Sequence, residues 1–375
     1  MTELRSCGPR ISLSSDLASP AASAAQTQNN AQFTCEAKFY QQLPNRKIKC
    51  QLCPRQCVVA DRDRGCCGVR ENRGGVFYTL VHSRVCAAHI DPIEKKPLFH
   101  YLPGTMAFSI ATAGCNVHCK FCQNWNISQS RPEEVPAQFL SPLQAAAIAR
   151  KYDCPTVAFT YSEPAVFAEY LMDTADAARA AGVGSIVVSN GYLQHDALIQ
   201  AYGKMDAVKI DLKSFSESYY TKIVAGRLQP VLDSLVTLRK IGKWIEIVYL
   251  IVPTLNDDDA ELRGLAQWIK ANLGLDVPLH FTQFHPDYLL KNLSVTPLAT
   301  LERAKAIADA EGLDYVYIGN VPGHPAQNTY CPRCRKLLVE RVGFTASQVL
   351  MRNDSTCPNC NHTIPGIWRT SDLQL

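Results

Sequence analysis

Cys115, Cys119 and Cys122 stand at C-x3-C-x2-C spacing, after an apolar run at 107–112 and before Gln123, Asn124 and Trp125. Closely spaced thiolates hold iron–sulfur clusters, and a four-iron cluster normally takes four of them. Three thiolates on one tight loop leave one iron open, and an open position is where a metal site does chemistry rather than only holding structure. Half of a zinc site and reduced core thiols are the competing readings, because free cysteine is often buried. With 16 cysteines in the chain, such a spacing also arises by chance.

Two further cysteine groups flank this loop. Cys331 and Cys334 form one C-P-x-C turn, and Cys357 and Cys360 form another. Each such turn presents two thiolates to a tetrahedral ion, so the pair reads as a closed, structural zinc site, a zinc ribbon. A rubredoxin-like iron site is the lesser alternative, and His362 reads as a surface residue. Near the other end, Cys50, Cys53 and Cys57, with Cys67 or its neighbour Cys66, make a second possible four-thiolate site. Its spacing departs from the ferredoxin pattern. Zinc is the first expectation there and an auxiliary iron–sulfur cluster the second. Cys7, Cys35, Cys86 and Cys154 have no partner by spacing.

These groups need elements to position them. The chain has 375 residues, 47% of them apolar, enough for one large domain with appendages. A net charge of +4 does not argue for nucleic acid. The block around Arg46, Lys47, Lys49, Arg55, Arg62, Arg64, Arg70 and Arg73 is basic, but Phe77 and Tyr78 are few aromatics for base stacking, and a solvated face is the preferred reading. Neither an apolar leader core nor a run of membrane-spanning length is visible, so a reducing, cytoplasmic location and no membrane partner are expected. Glu3 and Asp16 speak against a mitochondrial presequence, Arg5 and Arg10 for one.

Residues 1–31, rich in Ser, Ala, Gln and Asn, read as a disordered tail. Residues 32–105 read as a Cys-rich basic module and 326–375 as the zinc-ribbon-like module. Between them, over 106–325, apolar β-branched runs at 107–112, 156–160, 185–189, 207–212, 244–252, 279–284 and 315–318 alternate with helical stretches. Ser141-Pro142 opens a helix over 144–151, an Ala-rich helix over 164–181 stops at Gly182, and 257–272 opens acidic and stops before Gly274. Asp257 is a candidate cap. Strands alternating with helices indicate a parallel sheet covered by helices. The fold class is therefore α/β, a partial (β/α)6-type barrel, with its active site at the C-terminal strand ends. Polar residues do collect there: Tyr161 to Pro164, Ser189 to Tyr192, Asp211 to Lys213, Pro253 to Asp257, and Phe284 to Asp287.

The cysteine loop and these strand ends resemble the radical S-adenosylmethionine (SAM) superfamily. The resemblance implies that Cys115, Cys119 and Cys122 hold a 4Fe-4S cluster whose open iron grips SAM. The stretches from Val208 to Phe215, at Tyr219-Tyr220, from Val224 to Gly226, at Val252-Pro253, and at Asn256 to Asp259 are similar to glycyl-radical-enzyme activases such as pyruvate formate-lyase activase. That implies cofactor-binding roles for Glu163 (SAM amino group), Asp211 and Lys213 (carboxylate and ribose), His285 (pocket border) and Phe121 (adenine), with Asn190 on the same rim. It also implies an electron donor such as flavodoxin or ferredoxin, and leaves a protein substrate open. Two departures stand out: Tyr161-Ser162 where Gly-Gly is common, and Val188-Ser189 where activases carry an acid.

A resemblance over nearly the whole chain after residue 31 is to the radical SAM member of the AmmeMemoRadiSam system. It rests on Cys50 to Pro54, Gly68 to Asn72, Asp91 to Leu98, Cys119 to Trp125, Ile127 to Gln129, Tyr161 to Pro164, Val316 to Asn320 and Ile364 to Gly366. The segment Asp91 to Pro97 either reaches the barrel mouth or is a rigid linker. No substrate follows from this resemblance, and no catalytic residue is assigned. A non-catalytic zinc-binding scaffold is the reading from another class.

Overall fold

Seven apolar runs become seven parallel strands because residues buried on both faces favour a sheet covered on both sides. An antiparallel strand precedes them. In chain order they are β1 (Ala87–Pro92), β2 (Met106–Ala111), β3 (Thr156–Phe159), β4 (Gly184–Ser189), β5 (Ala207–Asp211), β6 (Trp244–Ile251), β7 (Leu279–Gln283) and β8 (Val316–Gly319). Each is hydrogen-bonded to the next, with β1 and β8 as the edges, so the sheet is an unclosed barrel. The computed structural model describes residues 30–373 and Leu375. Most of the expected disordered tail (1–31) and Cys7 lie outside the described residues. The last two tail positions belong to a 3-10 turn, Asn30–Phe33, with Arg84 donating to Asn30.

Six helices alternate with the strands: α1 (Pro142–Lys151), α2 (Ala168–Ala180), α3 (His195–Tyr202), α4 (Gln229–Lys240), α5 (Asp259–Asn272) and α6 (Leu298–Ala310). Six β–α pairs, β2–α1 to β7–α6, followed by β8, give the expected (β/α)6 pattern. Ser141 caps α1 with Gln144 closing a capping box. The cap of α5 corrects the sequence expectation. Asp258 accepts from Ala260 and Glu261, while Asp257 accepts from Thr254 and braces the preceding turn. In a run of three aspartates only the backbone geometry selects the cap.

The blocks on either side are built onto the barrel. Strand β1 lies within the stretch assigned to the N-terminal module, yet pairs with β2 over six positions, Ala87↔Ala111 to Pro92↔Met106. Upstream, two three-stranded antiparallel sheets contribute Ile48, Val59 and Phe77, and the bend before one strand Val69, to the same apolar core as Phe108 and Phe159. The arginines of this block are largely spent on carboxylates. Arg64 pairs with Glu71 and Glu133, Arg73 with Glu71, and the buried Arg70 with Glu169 at 2.5 Å.

The C-terminal three-stranded sheet (Thr329–Tyr330, Leu337–Val342, Thr345–Val349) and its cysteine turns cover the opposite end of the barrel. Cys331, Cys357, Ile364 and Trp368 pack with Phe99, Tyr315 and Tyr317. Buried Arg341 donates to Phe99 O and Thr329 Oγ1. This leaves the C-terminal strand ends as the open mouth. Among the described residues no helix is long and apolar enough to cross a membrane.

Candidate active site

The cysteine loop leaves β2 through Gly114, at φ +99°, a backbone state glycine adopts without cost. It is then fastened from three directions. Gly114 N–H donates to Ile127 O at 2.9 Å, His118 and Lys120 N–H donate to Val224 O and Ile223 O at 3.0 Å, and Leu289 N–H donates to Lys120 O at 2.9 Å. The ring of Trp125 stacks on Tyr288, with centroids 5.3 Å apart and planes 15° off parallel. The segment Tyr220–Val224 is a π-helical turn ending at Ala225 in the left-handed region, which turns its carbonyls toward the loop. This gives a physical reason for Tyr219 to Gly226 carrying part of the resemblance.

The three thiols lie within electrostatic range of one another. Burial pushes Cys119 up to about 12, against the pull of nearby Lys213, and pushes Cys115 well above the usual thiol range. Cys115 and Cys119, two thiols that resist ionising, need a cation to become thiolates, and a metal shared with neighbouring Cys122 supplies it. The donor set therefore fits an iron–sulfur cluster.

The residues expected to line the SAM site fall into two groups and one outlier. Around Cys119, Lys213 Nζ pairs with Asp211 Oδ2 at 2.8 Å and stands 6.0 Å from the centre of the Phe121 ring. Phe121 is buried and packs at 6.2 Å on Tyr219. Asp211 also accepts from Lys209, and despite burial these two cations hold its carboxyl below the usual range. Around Cys115, Asn190 Nδ2 lies 3.8 Å from the sulfur and donates to Asn116 Oδ1 at 2.9 Å. Glu163 accepts from Ala165 N, Ser189 Oγ, Asn190 N and Tyr202 OH. Its desolvation raises its pKa, opposed by these four donors. His285 is exposed on the loop after β7, on the same rim.

Sequence reading missed several members of this site. Lys209 sits in the middle of β5, buried, and a lysine inside an apolar strand was the available signal. Asn116 donates to Tyr192 O and ties the cysteine loop to the loop after β4. Tyr161 turns its hydroxyl inward onto Asp91, which also binds Lys95 and Lys96, so the segment after β1 does reach the interior. Nothing local in the sequence announces that contact.

At the far end, Cys331 Sγ lies 3.6 Å from Cys360 Sγ and Cys334 Sγ 3.5 Å from Cys357 Sγ. All four sulfurs lie within 4.8 Å of one another. A tetrahedral ion with sulfur bonds of about 2.3 Å needs sulfurs about 3.8 Å apart, so the group fits one zinc-sized ion.

A parallel (β/α)6 sheet carrying three grouped thiols on the loop after its first parallel strand defines a class of α/β protein built around a loop-borne cluster. Residues 109–266 match the model of the Radical SAM superfamily. The chain is 42% identical over 330 residues to the uncharacterized protein MJ0808 of Methanocaldococcus jannaschii, covering 88% of this chain and 98% of that protein. It is 25% identical over 162 residues to the pyruvate formate-lyase-activating enzyme of Clostridium pasteurianum, covering 42% of this chain and 66% of that enzyme. A solved domain of the pyruvate-formate lyase-activating enzyme from Bacteroides vulgatus aligns at 17% identity and a TM-score of 0.39, covering 44% of this chain and 98% of that one. The chain belongs to the radical SAM superfamily, and it is related to the glycyl-radical activases.

Proposed function

We propose that this protein is a radical SAM enzyme, the radical SAM member of an AmmeMemoRadiSam system. It cleaves SAM reductively and abstracts hydrogen from a substrate held in the barrel mouth. The observation that carries this reading is the grouping of Cys115, Cys119 and Cys122 on one fastened loop beside the Asp211–Lys213 pair. When bound, the cluster supplies the electron that cleaves the sulfonium and yields a 5′-deoxyadenosyl radical, the electron coming from a flavodoxin- or ferredoxin-type donor.

The chain's own groups do the rest. Phe121 offers an aromatic face for adenine. Lys213 offers a cation for the SAM carboxylate and Asp211 an acceptor for ribose, while His285 closes the rim. Glu163 already accepts four hydrogen bonds, so an ammonium group reaching it replaces one of those donors. Its present work is to hold the ends of β3 and β4 against Cys115, with Asn190 as the link.

One observation favours a protein substrate, and with it an activase reaction on a partner's glycine. Trp125 and Leu289, 44% and 60% exposed, form an apolar lip beside the cysteine loop. Such exposed large apolar groups suit a docking polypeptide.

Anaerobic reconstitution with iron and sulfide, followed by dithionite and SAM, tests the enzyme reading. The wild type should release 5′-deoxyadenosine, and Cys119→Ala should release none. A wild type that stays inert leaves the zinc-scaffold reading in its place. Electron paramagnetic resonance after mixing with a candidate partner then separates glycyl-radical formation from other hydrogen abstraction.

A further inference from the structure

The thiols of Cys50, Cys53, Cys57 and Cys67 line one small cleft together with Leu52, Phe77 and Val166. Each of the four lies within electrostatic range of the other three. The grouping is therefore a tetrad and not two separate pairs.

Each sulfur also receives a backbone N–H. Leu52 serves Cys50, Arg55 serves Cys53 and Val69 serves Cys67, while Cys66 N–H lies 3.5 Å from Cys57 Sγ. Hydrogen bonds to sulfur favour thiolate over thiol and are among the groups that tune a cluster. The guanidinium of buried Arg70 faces Cys50 and Cys67, held by Glu169. Thiols fed by N–H groups and two fixed cations, Arg55 and Arg70, make an environment for a buried anionic complex.

Size separates the occupants. The C-terminal four sulfurs have collapsed to single-ion distances, all within 4.8 Å, and among the described residues this is the group that does so. The N-terminal four, made of the same donor type, do not all come within that distance of one another. A single zinc needs sulfurs about 3.8 Å apart, whereas a cluster sets its thiolates around a core of several metal and sulfide atoms. We propose that Cys50, Cys53, Cys57 and Cys67 hold a second iron–sulfur cluster, fully ligated by protein thiolates and packed against the loop that carries the first.

That packing is direct. A Cβ on Gly114 would lie 3.0 Å from Cys67 O, so the backbones of the two cysteine groups touch beside Cys115. Arg55 reaches across to Asn116 O and Ala225 O, and Asn116 itself forms part of the cleft wall. Cys66 is exposed, with its sulfur 3.4 Å from His118 Nε2, and is not one of the four ligands. With no open position, this cluster does not grip SAM.

The test is independent of SAM cleavage. The triple variant Cys115→Ala, Cys119→Ala, Cys122→Ala is reconstituted anaerobically, and acid-labile sulfide and metals are counted, because mononuclear sites carry no sulfide. The expected result is at least about two sulfides per chain with a charge-transfer absorption. Adding Cys53→Ser and Cys67→Ser should abolish both, while Cys66→Ser should not. In the wild type the sulfide should exceed the roughly four of one four-iron cluster, which decides the matter if the triple variant does not fold. A sulfide-free triple variant that binds a second zinc, or a wild type holding no more than about four sulfides, overturns the proposal.

Discussion

Gly114 shows how much one residue position settles at this site. A Cβ there would stand 2.5 Å from Val69 Cγ1, and the backbone is already at φ +99°. Non-glycine strain of roughly 1–2 kcal/mol adds to an overpacking cost of about 1–3 kcal/mol. Gly114→Ala should therefore lower the unfolding free energy by about 3 kcal/mol, read from urea midpoints. Val69→Ala in the same chain should return the steric part and leave the backbone part. A variant as stable as the wild type would mean that the two backbones do not approach closely. At this scale the thiols were legible, because metal-ligand spacing is local in the chain. The partners of Glu163 and the Arg70–Glu169 pair were not, because they join residues up to 99 positions apart.

At the scale of elements, the cysteine loop is held chiefly by the segments after β5 and β7. The Trp125–Tyr288 stack pins the second of these next to the Leu289–Lys120 hydrogen bond. An aromatic pair of this kind contributes about 1 kcal/mol beyond burial. Tyr288→Ala should speed hydrogen exchange at the Leu289 amide by about fivefold, with the global thermal midpoint unchanged, since only local opening is involved. Unaltered exchange would show that the stack does not hold the loop. All seven parallel strands were legible, because double burial writes each as a continuous apolar run. Strand β1 was not: its Ala-Ala-His-Ile-Asp-Pro alternates, lies at a sheet edge and is fixed by pairing with β2. The π-helical turn likewise depends on the loop it fastens.

For the whole molecule, the C-terminal module acts as the floor of the barrel, and His100 is the joint between them. Its ring is buried, with Nδ1–H donating to Pro365 O at 2.7 Å and Nε2 accepting from Tyr317 OH at 2.6 Å. Sequence separated the module by its cysteine turns but gave no sign of docking, since His100 and Pro365 are 265 positions apart. Burial, opposed by Glu246 and reinforced by Arg341 and His280, lowers the His100 pKa from 6.5 to about 4. The folded protein thus resists a proton that the unfolded chain accepts. The stability that follows is fully present above pH 6.5 and is lost as pH falls toward 4, a change of about 3 kcal/mol. Buried His280, also shifted down, adds loss in the same direction. Protonation of the four grouped cysteines would release any metal ion held there and act in the same direction, so the comparison must isolate His100. The comparison is with His100→Gln, which titrates nothing at this joint. Urea unfolding of both at pH 7.5 and pH 5 should find the variant weaker at pH 7.5 but with the shallower decline. Equal slopes would clear His100 as the acid-sensitive contact and leave the cysteine turns to account for it.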